Sequence, residues 1–173
     1  MIDSREHQTK QAQKRYKAFG VPFSRCLLDY GDYAANCMLP NGSTLYDESK
    51  KVTPSVVIER KMSLDELATC FGKQRKRFTR EFERAAVHNA KVYLLVENGS
   101  WESIIMGRYR SHLNPVAFFA SATAWMARYN STIVFCKQET SGELIKEILF
   151  RELKEMLKHE QENIRTEAGS THK

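Results

Sequence analysis

Hydrophobic residues fall in short unbroken runs, separated by stretches with helical periodicity. Val56-Val57-Ile58 within residues 52–61 and Val92-Tyr93-Leu94-Leu95-Val96 within residues 91–97 are apolar at consecutive positions. This is the pattern of strands covered on both faces. Residues 131–137, with Ile133, Val134 and Phe135, predict another strand. Residues 23–29 and 33–39 predict two more, with Tyr30-Gly31-Asp32 as the turn between them. Pro40-Asn41-Gly42-Ser43 predicts a hairpin turn that residues 44–51 extend, and residues 2–5 predict an opening strand.

The intervening segments read as helices. Residues 7–19 predict a polar surface helix stopped by Gly20 and Pro22. Ser63, with Glu66 three positions on, is a capping box, and it predicts a helical region over residues 64–88 with a break at Gly72. A short helix is expected over residues 101–108. Asn114-Pro115 opens another that reaches residue 129, with proline in its first turn. The last helix starts at Ser141 and repeats Leu144, Ile145, Ile148, Leu149, Leu153, Met156 and Leu157 at helical spacing. Strands alternating with helices predict an α/β fold around one central mixed β-sheet flanked by helices. No internal repeat or linker divides the chain. One domain is expected over residues 1–158, followed by a polar tail over 159–173 that frays from Ala168.

Composition narrows the class. With 173 residues, 42% hydrophobic and 28% charged, the chain is neither fibrous nor wholly disordered. No apolar run approaches the roughly 18–20 residues that span a bilayer. The polar start lacks a secretory apolar core, so a cytoplasmic place is expected, nucleoid-associated in a prokaryote, with no membrane partner. Cys26, Cys37, Cys70 and Cys136 form no CxxC pair, which argues for reduced thiols and against a zinc knuckle. The five histidines are scattered without metal-ligand spacing.

Charge carries more information. The net charge is +6, but residues 1–136 hold +7 and the remainder −1. A polyanion such as nucleic acid fits the first part. Residues 72–86 alone contribute +4. On a helix, Arg77, Arg80 and Arg84 share one face, while Phe78 and Phe82 share another. With Arg5 and Arg75, these arginines are candidate contacts to DNA phosphates.

The candidate chemistry lies at strand ends. Glu59 and Lys61 are two apart on an expected strand, so they leave one face of the sheet while Arg60 leaves the other. Asp32 follows a strand and a glycine, and Asp65 begins the next helix. Two carboxylates and an ammonium grouped this way suit phosphodiester hydrolysis. The carboxylates can hold Mg²⁺, and Lys61 can orient a water or stabilise developing charge. Asp65 can support a second metal or a metal-bound water. Arg60 can clamp phosphate or order Asp65.

The arrangement Gly31-Asp32 … Glu59-Arg60-Lys61-Met62-Ser63-Leu64-Asp65 resembles the GD…ERKxxxD signature of the XPF/Hef family of structure-specific endonucleases, a branch of the PD-(D/E)XK nuclease superfamily. Ile2-Asp3-Ser4-Arg5-Glu6 resembles the family's opening D-x-R-E strand. Leu28-Asp29-Tyr30-Gly31-Asp32-Tyr33 resembles its L-x-x-G-D-Y/F segment. Arg77-Phe78 with Glu81 resembles the helix after the signature, and Tyr93-Leu94-Leu95-Val96-Glu97 the next apolar strand. The similarity spans residues 2–157. It implies a restriction-endonuclease-like core and a metal-dependent endonuclease acting on branched or single-strand-containing DNA in repair, recombination or replication. Asp32, Glu59 and Asp65 would bind Mg²⁺ or Mn²⁺, Lys61 would be catalytic, and Arg60 would be essential for activity or local structure. Asp3, Arg5 and Glu6 would line the edge of the site, and Glu97 is either an outer carboxylate or a strand-end charge facing solvent.

XPF-type enzymes commonly add a helix-hairpin-helix domain. The final segment shows no paired Gly-containing hairpins, so a stand-alone nuclease domain is expected, with branch preference and side of incision left open. Family members dimerise through nuclease-domain helices. Leu144, Ile148 and Leu149, or the helix bearing Phe118 and Phe119, are candidates for a homodimer contact and equally for core. The alternative is a non-catalytic DNA-binding or scaffold subunit of the same fold. Retention of Asp32, Glu59, Lys61 and Asp65 favours the enzyme over that alternative.

Overall fold

Three parallel strands form the spine, in the order β3-β4-β5: β3 (Val56–Lys61), β4 (Lys91–Glu97) and β5 (Ser131–Cys136). Their register sets Val57 opposite Val92, Lys61 opposite Val96, and Val96 opposite Phe135. β1 (Ile2–Asp3) pairs in parallel with β2 (Arg25–Cys26). Tyr33 joins the two parts by antiparallel bridges to Ile2 on one side and Ile58 on the other. The sheet is therefore mixed, as the sequence pattern requires. The protein is seen here as a computed structural model describing residues 1–170, with side chains through residue 163.

Of the two strands expected before β3, residues 23–29 give only the two-residue β2 and residues 33–39 form no strand, only isolated bridges at Tyr33 and Met38, because side chains take over the ladder's hydrogen bonds. In the 23–29 segment the Leu28 N–H donates to the Asp3 carboxylate (2.9 Å), and its carbonyl accepts from Arg5 (2.6 Å). In the 33–39 segment Asn36 accepts the N–H groups of Cys37 and Tyr46 (both 3.0 Å), which turns the chain out of the sheet. The hairpin turn forms as expected: Met38 bridges Thr44, and the Leu39 N–H donates to Ser43 (2.7 Å).

Local signals place the helices well. Helix α1 (Lys10–Ala18) is capped by Thr9, whose hydroxyl accepts the Ala12 N–H (3.1 Å). α2 (Leu64–Phe71) is capped by Ser63, which accepts from the Glu66 N–H (3.3 Å), while the Glu66 carboxylate accepts from Met62 (2.8 Å). The chain breaks at Gly72 before α3 (Arg75–Val87). α4 (Trp101–Ile105) is brief, and α5 (Pro115–Arg128) starts at the Asn114 cap. α6 (Ser141–Ser170) closes the fold; of the tail expected to fray, residues 171–173 lie outside the described residues. Among the described residues no helix is long and apolar enough to cross a membrane.

Period-two alternation divides the core between the sheet's faces. Val57, Leu94 and Val96 pack with Leu67, Phe71, Phe78, Phe82, Phe118 and Trp125 of α2, α3 and α5. Ile58 and Leu95 pack with Tyr16 of α1, neighbouring Phe19, and Ile145 and Leu149 of α6; Leu144 and Ile148 are partly buried against this second cluster. Phe118 is fully enclosed, whereas Phe119 is partly exposed against Trp101.

Candidate active site

The site is built where β3 ends. Gly31 makes the turn before it at φ +73°, and a Cβ there would lie 2.7 Å from the Cβ of Val57. That close approach lets the Asp32 N–H donate to the Ile58 carbonyl (2.8 Å) and Asp32 Oδ2 accept the Arg60 N–H (2.7 Å). The Asp32 carboxylate is thereby fixed beside the odd-numbered face of β3. Glu59 and Lys61 emerge on that face as the strand alternation predicts, buried and directly ion-paired through Glu59 Oε1. Lys61 Nζ also stands 5.3 Å from the centre of the Phe78 ring. The other Glu59 oxygen, Oε2, is buried and has no hydrogen-bond partner.

Glu81 on α3 joins this group. Its Oε1 accepts the Gly31 N–H (3.3 Å). Burial, and then the Glu59 charge, push Glu81 up to about 7. Burial and Glu59 likewise hold Asp32 well above the usual carboxylate range. For Lys61, burial opposes the charged form, but Glu59 and Asp32 outweigh it and keep the ammonium protonated. These residues line an open cleft of about 490 Å³ together with Asp3, Arg5, Glu6, Arg60, Glu66, Arg77, Arg80 and Arg84.

Arg60 does not reach for Asp65. On the opposite face it bonds Glu97 Oε2 (3.2 Å) and Glu6 Oε1 (3.2 Å). Arg15 of α1 meets the same two carboxylates, Glu97 at 3.3 Å and Glu6 at 3.9 Å. The four charges close a ring, and the Tyr33 hydroxyl accepts from Arg15 (3.2 Å) and donates to Glu6 (3.1 Å). Glu97 is 1% exposed and lies in this ring, away from the cleft. Asp3 sits at the cleft edge, held bidentately by Arg5 (2.7 and 2.9 Å).

Asp65 is not brought to Asp32 and Glu59. Its Oδ1 accepts the N–H groups of Arg110 (2.7 Å) and Ser111 (2.8 Å), and its Oδ2 accepts from the Arg110 guanidinium (3.2 Å). Burial would raise its pKa, but these donors outweigh that and hold it below the usual value. The cationic helix is also divided in use. Arg75 bonds Phe71 O (3.2 Å) and Ser121 (3.3 Å) with its guanidinium over Trp125. Arg84 bonds the Asp29 carbonyl (3.1 Å) and pairs with its carboxylate (3.4 Å). Arg77 bonds only Gln74 (3.2 Å), and Arg80 has no ion pair among the described residues, so both remain available at the rim.

Two residues of this architecture escaped the sequence reading as participants. Arg15 carries no local signal. Glu81 carries only a weak one: it is an acid set among the arginines of α3, three positions after the buried Phe78.

The donor set fits a hard divalent cation. Asp32 and Glu59 offer oxygen ligands, and the partnerless Glu59 oxygen is the kind of buried group that a cation satisfies. Among the described residues no group of three or more His, Cys, Asp or Glu side chains is placed to hold a metal ion, so Asp32 and Glu59 offer at most an open two-carboxylate shelf.

Comparison with known proteins gives a consistent result. The ERCC4 domain family model matches residues 2–148. Two solved structures share the fold at 19% identity: XPF from Aeropyrum pernix, with TM-score 0.57 over 86% of this chain and 63% of that one, and XPF from Aeropyrum pernix in complex with DNA, with TM-score 0.59 over 88% and 64%. The chain thus spans less than two thirds of the length of those structures. No curated protein sequence matches it.

Proposed function

Since the chain belongs to the ERCC4 domain family, we propose that it is a divalent-metal-dependent endonuclease that hydrolyses phosphodiester bonds in branched or single-strand-containing DNA, in repair, recombination or replication. The observation that carries this reading is the buried Glu59, with one oxygen on Lys61 and the other without a partner, beside Asp32 in an open cleft. Asp32 and Glu59 would hold Mg²⁺ or Mn²⁺. A cation bound there would supply Lewis acidity toward the scissile phosphate and lower the pKa of a coordinated water.

The chain's own groups do the rest. Lys61 lines the cleft beside Glu59, and its charge is held by Glu59 and Asp32. It can donate a hydrogen bond to a non-bridging phosphate oxygen as negative charge develops there. Arg77 and Arg80, at the rim, can bind flanking phosphates without reading bases. Arg60 acts through its backbone N–H on Asp32 and through the ring behind the strand, so it is a positioning residue. Asp65 orders the segment around Arg110 and Ser111.

The test incubates the protein with flap, fork, Holliday-junction and linear DNAs, with Mg²⁺, Mn²⁺ or EDTA. Cleavage of branched DNA is expected with metal and not with EDTA. Asp32→Asn and Lys61→Ala should each slow it about 10²-fold or more. Cleavage that survives EDTA, or is unchanged in both variants, overturns the metal-nuclease reading. Tight binding without cleavage of any DNA supports a scaffold subunit instead.

A further inference from the structure

Among the described residues the Lys61 ammonium gives a hydrogen bond to one acceptor, Glu59 Oε1. An ammonium has three N–H donors, so two are not taken by that bond. The Lys61 side chain is only 7% exposed, yet it lines the cleft. Its ammonium lies over the ring of Phe78 on α3, 5.3 Å from the ring centre. A ring face attracts a cation through its quadrupole and has no lone pair to capture an N–H. A carboxylate or amide in that place would hold the ammonium by occupying a donor. The ring holds it and spends none.

The ring is itself fixed. Phe78 is buried, stacks on Trp125 with centres 5.6 Å apart and planes 15° apart, and meets Phe71 and Phe82 edge-on at 5.8 and 4.9 Å. A lysine side chain has many rotamers and is located only by its contacts. Glu59 is two residues away on the same strand, so that pairing locates Nζ against β3 alone. Phe78 locates it against α3, the helix that carries Arg77 and Arg80 at the rim.

We infer that Phe78 is a positioning residue for the reaction: its ring holds the Lys61 ammonium at the cleft while leaving two of the N–H donors to phosphate oxygens. The inference rests on the role given to Lys61 above. Phe78 does not line the cleft, so it acts through Lys61 and not on the DNA.

The experiment replaces Phe78 in the whole protein by difluorophenylalanine and by pentafluorophenylalanine, which keep the ring but progressively withdraw the negative charge of its face. The same replacements at Phe118 are the control, since that ring is equally buried but meets Phe71 and Tyr109 and no ammonium. Urea unfolding confirms that each protein folds. The first readout is kcat and KM for cleavage of flap DNA with Mg²⁺. The second, without DNA or metal, is the rate at which acetic anhydride acetylates Lys61, read by peptide mass spectrometry. At position 78, kcat should fall stepwise, by about threefold to tenfold for the pentafluoro ring, with KM changed by less than about twofold. Acetylation of Lys61 should rise about threefold or more as the ring loosens its hold on the charged form. The Phe118 series should move neither. A flat series at 78, or equal changes at 78 and 118, overturns the role of Phe78, and loss of cleavage in Lys61→Ala then leaves the nuclease reading standing. Absence of cleavage by the wild-type protein overturns the nuclease reading and with it the catalytic purpose of the contact; the acetylation series still decides whether the ring holds the ammonium.

Discussion

Consecutive residues of one strand serve two opposite electrostatic designs. Behind β3, Arg60 enters a closed ring in which Glu6 and Glu97 each meet two guanidiniums and the formal charge is zero. In front of it, Glu59 and Lys61 belong to a group with excess acid and an oxygen without a partner. Buried charge is tolerated when it is paired and hydrogen-bonded. The rear face pairs every charge within the chain, and in it only Arg60 Nε is left buried without a hydrogen-bond partner among the described residues. The front face meets that condition only by holding protons or by taking up a cation. The contrast separates what positions the strand from what is left for a ligand.

The sharpest way to break the contrast is to open the ring. Arg15→Met leaves Glu6 and Glu97 with one guanidinium between them and should cost about 3–5 kcal/mol of stability, measured by urea unfolding. A cost near zero would mean that the rear face is not the structural one. A smaller effect comes from the front. Glu81 sits at about 7 in the fold against 4.5 for a free glutamate, so between those values the folded chain keeps a proton that the unfolded chain has released. Its contribution to stability therefore declines as pH rises through that window in the metal-free protein. Glu81→Gln cannot titrate and escapes the decline. In EDTA the variant should melt close to wild type near pH 4.5 and higher than wild type above about pH 7. A constant difference across that range would remove the asymmetry between the faces. The mildest effect lies at the rim. Arg80→Ala should lower DNA affinity and reduce the salt-dependence slope by about one unit, whereas Asp65→Asn should leave the slope unchanged.

Local signals made much of this legible. The continuous apolar runs located β4 and β5 almost to the residue, and the Ser63 and Asn114 caps located α2 and α5. Strand alternation alone separated Glu59 and Lys61 from Arg60. What escaped was decided at a distance. Asp65 opens α2 as expected, but its direction is set by amides about 45 residues later in the chain. Arg75 belongs to the cationic run, yet Trp125 and Ser121 of α5 claim it. The ring draws on four separate segments, so no window of sequence contains it. Glu81 depended on the rotational phase of α3 against the sheet, which the buried Phe78 and Phe82 fix only once β3 lies beneath them.

Gly31 and Val57 occupy what amounts to a single shared volume, with no room for a methyl group between them. In divergence, position 31 is held by two independent demands: a left-handed backbone and the branched side chain below it. Trimming Val57 to alanine leaves both, because the closest approach, 2.7 Å, is to the Val57 Cβ that alanine keeps. Substitution at 31 therefore finds no single-step compensation at 57, whereas 57 can drift toward smaller residues while 31 stays glycine. Sequence variation at this pair should be one-sided, and a distant relative that has lost the glycine should have rebuilt the whole turn that carries Asp32.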